Sequence, residues 1–382
     1  MKKRAAARIL AGGLVAVALT VLAGCATQAL NTARREFYQG RFGDANTTLE
    51  RKIPKKDRVL FLMERGTIRL FGGEYEQSAR DYIEANDRLV ELETYSLSKG
   101  GASLVVNDSV QDFRGFPYER TLLHAFTAKN HLALGHWENA AVEARRLIES
   151  LTPEKRGDYP DDAYSHYFAG FALELIGDTS NARLQYQKAA ELAPDVNINP
   201  DTGRFGKGNT ASPENELVVF VLMGKAPRTD NISLSNLGRY AEIYAGDKLL
   251  GRSYEFTDVA DLCSTSFQKD AARQVTKTIA RIAAKEALAQ QIEKDNEMLG
   301  ELTRFVLIGL LEHPDYRRWE TLPRYLQVAR VPCPPDLSEY TVVFKNRTGA
   351  ELSRRTVATP LAKQGSTFVS FTRDIVEAAV FR

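Results

Sequence analysis

The chain has 382 residues, with 51 Lys and Arg against 49 Asp and Glu. This near-balance excludes the bulk positive field on which nucleic-acid binding rests, so no nucleic-acid partner is expected. The length leaves room for two domains, each with its own core.

Four cations, Lys2, Lys3, Arg4 and Arg8, open the chain, and no acidic residue precedes Cys25. An apolar run follows over residues 9–23, interrupted only by Gly12, Gly13 and Thr20. It is too short for a spanning helix, which needs about 20 residues, and suits the core of a secretory signal. Leu22-Ala23-Gly24-Cys25 then supplies small residues before a thiol that can be diacylated, with cleavage between Gly24 and Cys25. Residues 1–24 are therefore expected to be a lipoprotein signal peptide and 25–29 a lipidated tether. Ala26, rather than Asp, after the cysteine fits sorting to the outer membrane, with the protein facing the periplasm. Losing the leader removes four cations, leaving 47 against 49, a net charge of −2.

Residues 30–195 carry four degenerate copies of one helix-turn-helix spacing of the kind found in tetratricopeptide repeats. The fourth reads Gly170, Gly177, Ala182, Tyr186, Ala189 and Pro194; the second reads Gly66, Gly73, Tyr75, Tyr82 and Ala85. The third has Ala128, Gly135, Trp137, Ala140 and Ala144, and the first Ala33, Gly40, Phe42, Ala45 and Leu49. A single helix pair cannot bury its apolar face alone, so an all-α solenoid with a concave surface is expected. Turn formers between 98 and 118 break the period and predict an inserted loop. On the first helices, Lys129 and the stripe Tyr164, Tyr167 and Phe171 occupy the positions that line such a groove. The stripe fits two readings, a partner-binding groove or plain core, since apolar residues at helical spacing serve both.

Residues 196–214, rich in Asn, Gly, Pro and Thr, read as a linker. Residues 215–382 then read as a smaller α+β domain. The run ELVVFVLM from Glu216 to Met223 predicts a strand buried on both faces. Further strands are predicted at 240–244, 325–331, 340–345 and 367–371, and helices at 267–296 and 299–311. Lys269, Arg273, Lys277, Arg281 and Lys285 recur at intervals of four on the first of these helices. This basic ridge is either a solvated face or a contact for an acidic partner or anionic headgroups. Cys263 and Cys333, the remaining thiols, are a possible disulfide in an oxidising compartment.

The chemistry-bearing residues form no recognised catalytic set. None of His124, His131, His136, His166 and His313 falls in an HxxxH or HExxH spacing, so no metal site is expected. Ser96-Leu97-Ser98-Lys99 matches a Ser-x-x-Lys nucleophile pattern but lacks its companion motifs. Phosphate-binding loops and nucleophile elbows are absent. No enzyme activity, catalytic residue or cofactor is expected, although an envelope enzyme acting on peptidoglycan and an activator of a cell-wall synthase stand as alternatives.

Several blocks carry a resemblance. They are Gly115-Phe116-Pro117-Tyr118-Glu119 with His124 and Asn130-His131-Leu132, Val142-Glu143-Ala144-Arg145-Arg146, and Gly224-Lys225-Ala226-Pro227-Arg228. The stretch 281–285 and the run from Asp315 through Trp319-Glu320-Thr321-Leu322-Pro323 to Arg330 complete the set. Together they resemble a family of proteobacterial lipoproteins, of unassigned function, with tetratricopeptide-like N-terminal halves. The resemblance implies partners among other envelope lipoproteins, including ones similar to the curli secretion channel. It implies an interaction scaffold or an assembly and secretion accessory, tethered to the membrane by its lipid. For the Trp319 block, a buried anchor with Arg–carboxylate pairing is the expected role.

Overall fold

The computed structural model describes residues 28–50, 54, 56–98, 112–205, 213–225, 238–269, 290, 317–358 and 362–375. The chain is mixed α+β, with helices in its N-terminal part and strands in its C-terminal part. Helix α1 covers 28–38. It is followed by α2 (Phe42–Glu50), α3 (Arg58–Phe71), α4 (Tyr75–Ser98), α5 (Pro117–Ala133), α6 (Trp137–Ser150), the single turn α7 (Pro153–Arg156), α8 (Ala163–Leu175) and α9 (Thr179–Leu192).

Four helix pairs (α1/α2, α3/α4, α5/α6 and α8/α9) are joined by turns that use the same device. Gly40, Gly73, Gly135 and Gly177 have φ of 73°, 79°, 71° and 80°, the left-handed region that glycine enters without a Cβ clash. Seven residues before each sits the small residue that lets the partner helix approach. A Cβ added at Gly66 would come within 2.5 Å of the Tyr82 ring, and one at Gly170 within 3.0 Å of the Ala182 carbonyl and Tyr186. Ala33 and Ala128 fill the equivalent places with no exposure.

The strands are β1 (Glu216–Met223), β2 (Tyr240–Ala245), β3 (Lys248–Arg252), β4 (Tyr254–Asp258), β5 (Tyr325–Pro332), β6 (Glu339–Lys345), β7 (Glu351–Ala358), β8 (Ala362–Gln364) and β9 (Thr367–Arg373). Residues 259–269 form helix α10. One sheet has the order β4-β5-β1-β9-β8, and the other β3-β2-β6-β7. Among the described residues all strand pairings are antiparallel except that of β1 with β9.

The central strand β1 is buried along its whole length, as its unbroken apolar run predicts. Its alternate side chains serve two cores. Val218, Phe220 and Leu222 join the helices, while Leu217, Val219, Val221 and Met223 meet Ala241, Ile243, Tyr340, Val342 and Phe344 of the second sheet. The described residues thus form three layers: helices, five-stranded sheet, four-stranded sheet.

This layering runs across the expected division at 195 and 215. The change there is one of secondary structure, because the helices and the first sheet share a single hydrophobic core. The described part of the expected linker is packed rather than free. Pro194–Val196 forms a 3-10 turn, Ile198 bridges Phe205, and the Phe205 ring lies 5.5 Å from Tyr167 and 5.7 Å from Phe256. The predicted helix at 299–311, and most of that at 267–296, lie outside the described residues.

Candidate functional site

The stripe on α8 is core. Tyr164, Tyr167 and Phe171 have no exposure. Phe171 and Tyr164 meet the Phe220 ring at 5.5 Å and 6.0 Å, and Tyr167 meets Phe256 at 4.7 Å. Of the two readings the stripe allowed, groove or core, the contacts fit core, because β1 and β4 of the same chain fill this face. Lys129 on α5 is buried in the same seam. Its Nζ lies 4.0, 4.8 and 5.0 Å from the rings of Phe126, Phe168 and Tyr164, with no hydrogen-bond partner among the described residues. Burial holds its amine well below the ordinary lysine range, and only the nearby Asp162 charge opposes this.

A second cluster surrounds 317–322, which crosses the helical layer. The Trp319 indole is 1% exposed and donates from Nε1 to the hydroxyls of Thr67 (2.9 Å) and Thr321 (3.0 Å). Two buried carboxylates clasp the backbone of this segment. Glu119 accepts the Trp319 N–H at 2.7 Å; Glu64 accepts those of Glu320 at 2.8 Å and Thr321 at 3.1 Å. Arg34 pairs with Glu64 (2.5 Å) and Glu320 (3.0 Å), completing the Arg–carboxylate anchor expected for this block. Burial pushes the Glu119 carboxyl up to about 7, even though the N–H groups of Trp319 and Phe116 favour its anion. Glu119 stood in a block marked by the sequence, whereas nothing in the local pattern of α3 singles out Glu64.

A third polar cluster joins α8 and α9 to the sheet. Arg330 on β5 is buried between Glu216 (2.5 Å) and Glu174 (2.6 Å), and Arg204 also reaches Glu216 at 3.1 Å. Local sequence gave no sign of this grouping, because its members lie on four separate segments.

The remaining sites separate. Cys263 and Cys333 are both free thiols, which corrects the possible disulfide. Cys263 is buried in the helix-and-sheet core, and Cys333 packs against the core between the sheets. Lys269 of the basic ridge donates from Nζ to the Asp158 carbonyl. Arg273, Lys277, Arg281 and Lys285 lie outside the described residues, as does Cys25. His124 pairs with Glu143 at 2.9 Å, and His166 sits between Gln185 (2.7 Å) and Asp161 (3.1 Å), so both act within the helical layer. Lys99 and His313 fall outside the described residues.

An open recess of about 460 Å³ lies between the α5–α6 turn, the end of α8 and β8. Trp137, Glu138, Leu175 and Gln364 line it, and the Gln364 amide is already bonded to the Leu175 carbonyl at 3.3 Å. Among the described residues no group of three His, Cys, Asp or Glu could hold a metal ion. Among them, too, no helix is long and apolar enough to cross a membrane. No known protein family and no characterised protein matches the chain.

Proposed function

We propose that the chain is an outer-membrane lipoprotein, anchored through a diacylated Cys25 and facing the periplasm, that serves as a scaffold for other envelope proteins. The observation that carries this reading is the leader. It has cations, a 15-residue apolar run and Leu22-Ala23-Gly24-Cys25, in the order a lipidated secretory signal requires. The four helix pairs, read as tetratricopeptide-like repeats, supply a surface of the kind used to hold partners.

Because the first-helix face is filled by the sheet, the partner surface is assigned to the second helices. Val90 on α4, Val142 on α6, and Leu184 and Leu192 on α9 are exposed by 55%, 45%, 54% and 43%. The class of partner, another envelope lipoprotein or a secretion-complex protein, follows the resemblance described above.

Photo-cross-linking amino acids at Val142 and Leu184, used in intact cells, test the assignment. The expected product joins the chain to a second palmitate-labelled envelope protein. Recovery of the bare chain alone from both positions sinks the scaffold reading. Cys25→Ser is expected to abolish palmitate labelling and release the protein from the membrane fraction.

A further inference from the structure

The recess at the α5–α6 turn is built by three parts of the chain that meet only in the fold. The turn and the first residues of α6, the end of α8, and β8 all contribute to its lining. These parts are fixed in place by their own hydrogen bonds. The Gly135 and His136 N–H groups bond the Leu132 and His131 carbonyls at 3.1 and 2.8 Å, which closes the turn. Gln364 donates from Nε2 to the Leu175 carbonyl at 3.3 Å and so ties β8 to α8. A site set in advance loses little freedom when a ligand arrives.

The recess offers one aromatic ring among several polar groups. Trp137 is half-buried and packs against the helical core. Its ring edge lies over the turn, where a Cβ placed on Gly135 would come 3.8 Å from Cζ2. The rest of the side chain faces the recess. His136, Glu138 and Asn139 are exposed, and none makes a side-chain hydrogen bond or ion pair among the described residues. Gln364 spends its amide N–H on Leu175 and keeps its side-chain oxygen as an acceptor.

This lining discriminates between ligand classes. No lysine or arginine among the described residues lines the recess. Glu138 adds a carboxylate to the first turn of α6, which opposes the anion that a helix end would otherwise draw. Leu175 and Ile176 give too little aliphatic wall for an acyl chain. A cation could use Trp137 and Glu138 but would leave His136, Asn139 and Gln364 idle. An uncharged sugar ring engages all of them. Its C–H face lies on the indole, and its hydroxyls bond carboxylate, amide and imidazole groups. The volume of about 460 Å³ falls within the ~300–1,000 Å³ of small-molecule sites. Because the recess is open, the ring can also belong to a longer glycan.

We propose that this recess binds an uncharged pyranose, with Trp137 as the stacking platform and Glu138, Asn139 and Gln364 as partners for its hydroxyls. The site uses neither the lipid anchor nor the exposed apolar residues of the scaffold surface, so it is tested independently of both.

Saturation-transfer-difference NMR on the full chain, with di-N-acetylchitobiose as the probe, tests the site. Transfer to the sugar ring protons is expected, with half-saturation near about 1 mM. Trp137→Ala is expected to weaken binding about tenfold, and Asn139→Ala about threefold. Thermal melting shows which variants are folded. Asn139 is exposed and unbonded, so its truncation preserves the fold even if that of Trp137 does not. Choline added in competition is expected to leave the sugar signal unchanged. Displacement of the sugar by millimolar choline overturns the pyranose in favour of an ammonium ligand. Absence of transfer at about 10 mM sugar, or wild-type transfer in either folded variant, overturns the site.

Discussion

At the scale of single residues, Lys129 is the group most at odds with its surroundings. Three ring faces within 5.0 Å favour its cation, by about 2 kcal/mol or more in a desolvated site. Withdrawal from water outweighs them, because a buried ammonium without a carboxylate partner costs more than ring faces return. The folded amine thus titrates below the ordinary value of 10.5. Stability is lost as pH falls below that value, since the unfolded chain takes up the proton more readily. Lys129→Met keeps the volume and removes the mismatch. Chemical denaturation at pH 8 is expected to find the variant more stable, by about 1–4 kcal/mol. An unchanged or lower midpoint would mean that the aromatic cage stabilises the cation after all.

At the scale of elements, the segment 317–322 is held by carboxylates rather than by a ladder, and this gives the fold a pH dependence. Glu119 is protonated in the folded state up to about 7 but has an ordinary value of 4.5. Its raised value contributes stability that is complete below 4.5 and is lost as pH rises through about 7. The full change is at most about 3.4 kcal/mol, from 1.36 kcal/mol per pH unit over the shift from 4.5 to about 7. Glu119→Gln is expected to flatten the curve of unfolding midpoint against pH between those limits. A slope equal to that of the wild type would show that other groups carry it.

The same scale shows what the sequence made legible. Glycines seven residues after a small residue marked all four helix turns, because only a left-handed residue closes each pair. Strand β1 declared itself through an unbroken apolar run, as strands covered on both faces do. Strand β7, Glu-Leu-Ser-Arg-Arg-Thr-Val-Ala, did not, since it is an edge strand whose side chains are mostly at the surface. The short strands β3, β4 and β8 likewise carry no alternation long enough to read. The stripe Tyr164, Tyr167 and Phe171 was visible as apolar, but its covering strand lies far along the chain and leaves no local trace. The clasp by Glu64 and Glu119 was hidden for the same reason, because its partners sit about 200 residues or more away.

At the scale of the whole molecule, the sheet completes the helical layer, and the helical half shares its core with that sheet, whereas a second core lies wholly between the two sheets. Phe220, Phe256 and Trp319 from the strand-bearing part fill space among α3, α5 and α8. A chain ended after residue 195 is therefore expected to keep helical far-ultraviolet dichroism but to bind a hydrophobic dye and lose cooperative thermal unfolding. Sharp two-state melting of that fragment would restore the division into independent domains.

The pairing of β1 with β9 governs when this architecture can form. Thr367, beside Glu216 in that parallel pair, lies 151 residues further along the chain. Synthesis runs from the N-terminus, so the helices are finished long before the strand that closes the central sheet. Until it arrives, β1 has an open edge and the Phe220 ring lacks the Phe371 ring that stacks on it. Contacts this distant make closure slow and leave sticky surface bare in the interval. The chain short of β9 thus carries an unpaired central edge, and the arrival of β9 is the late event that closes it.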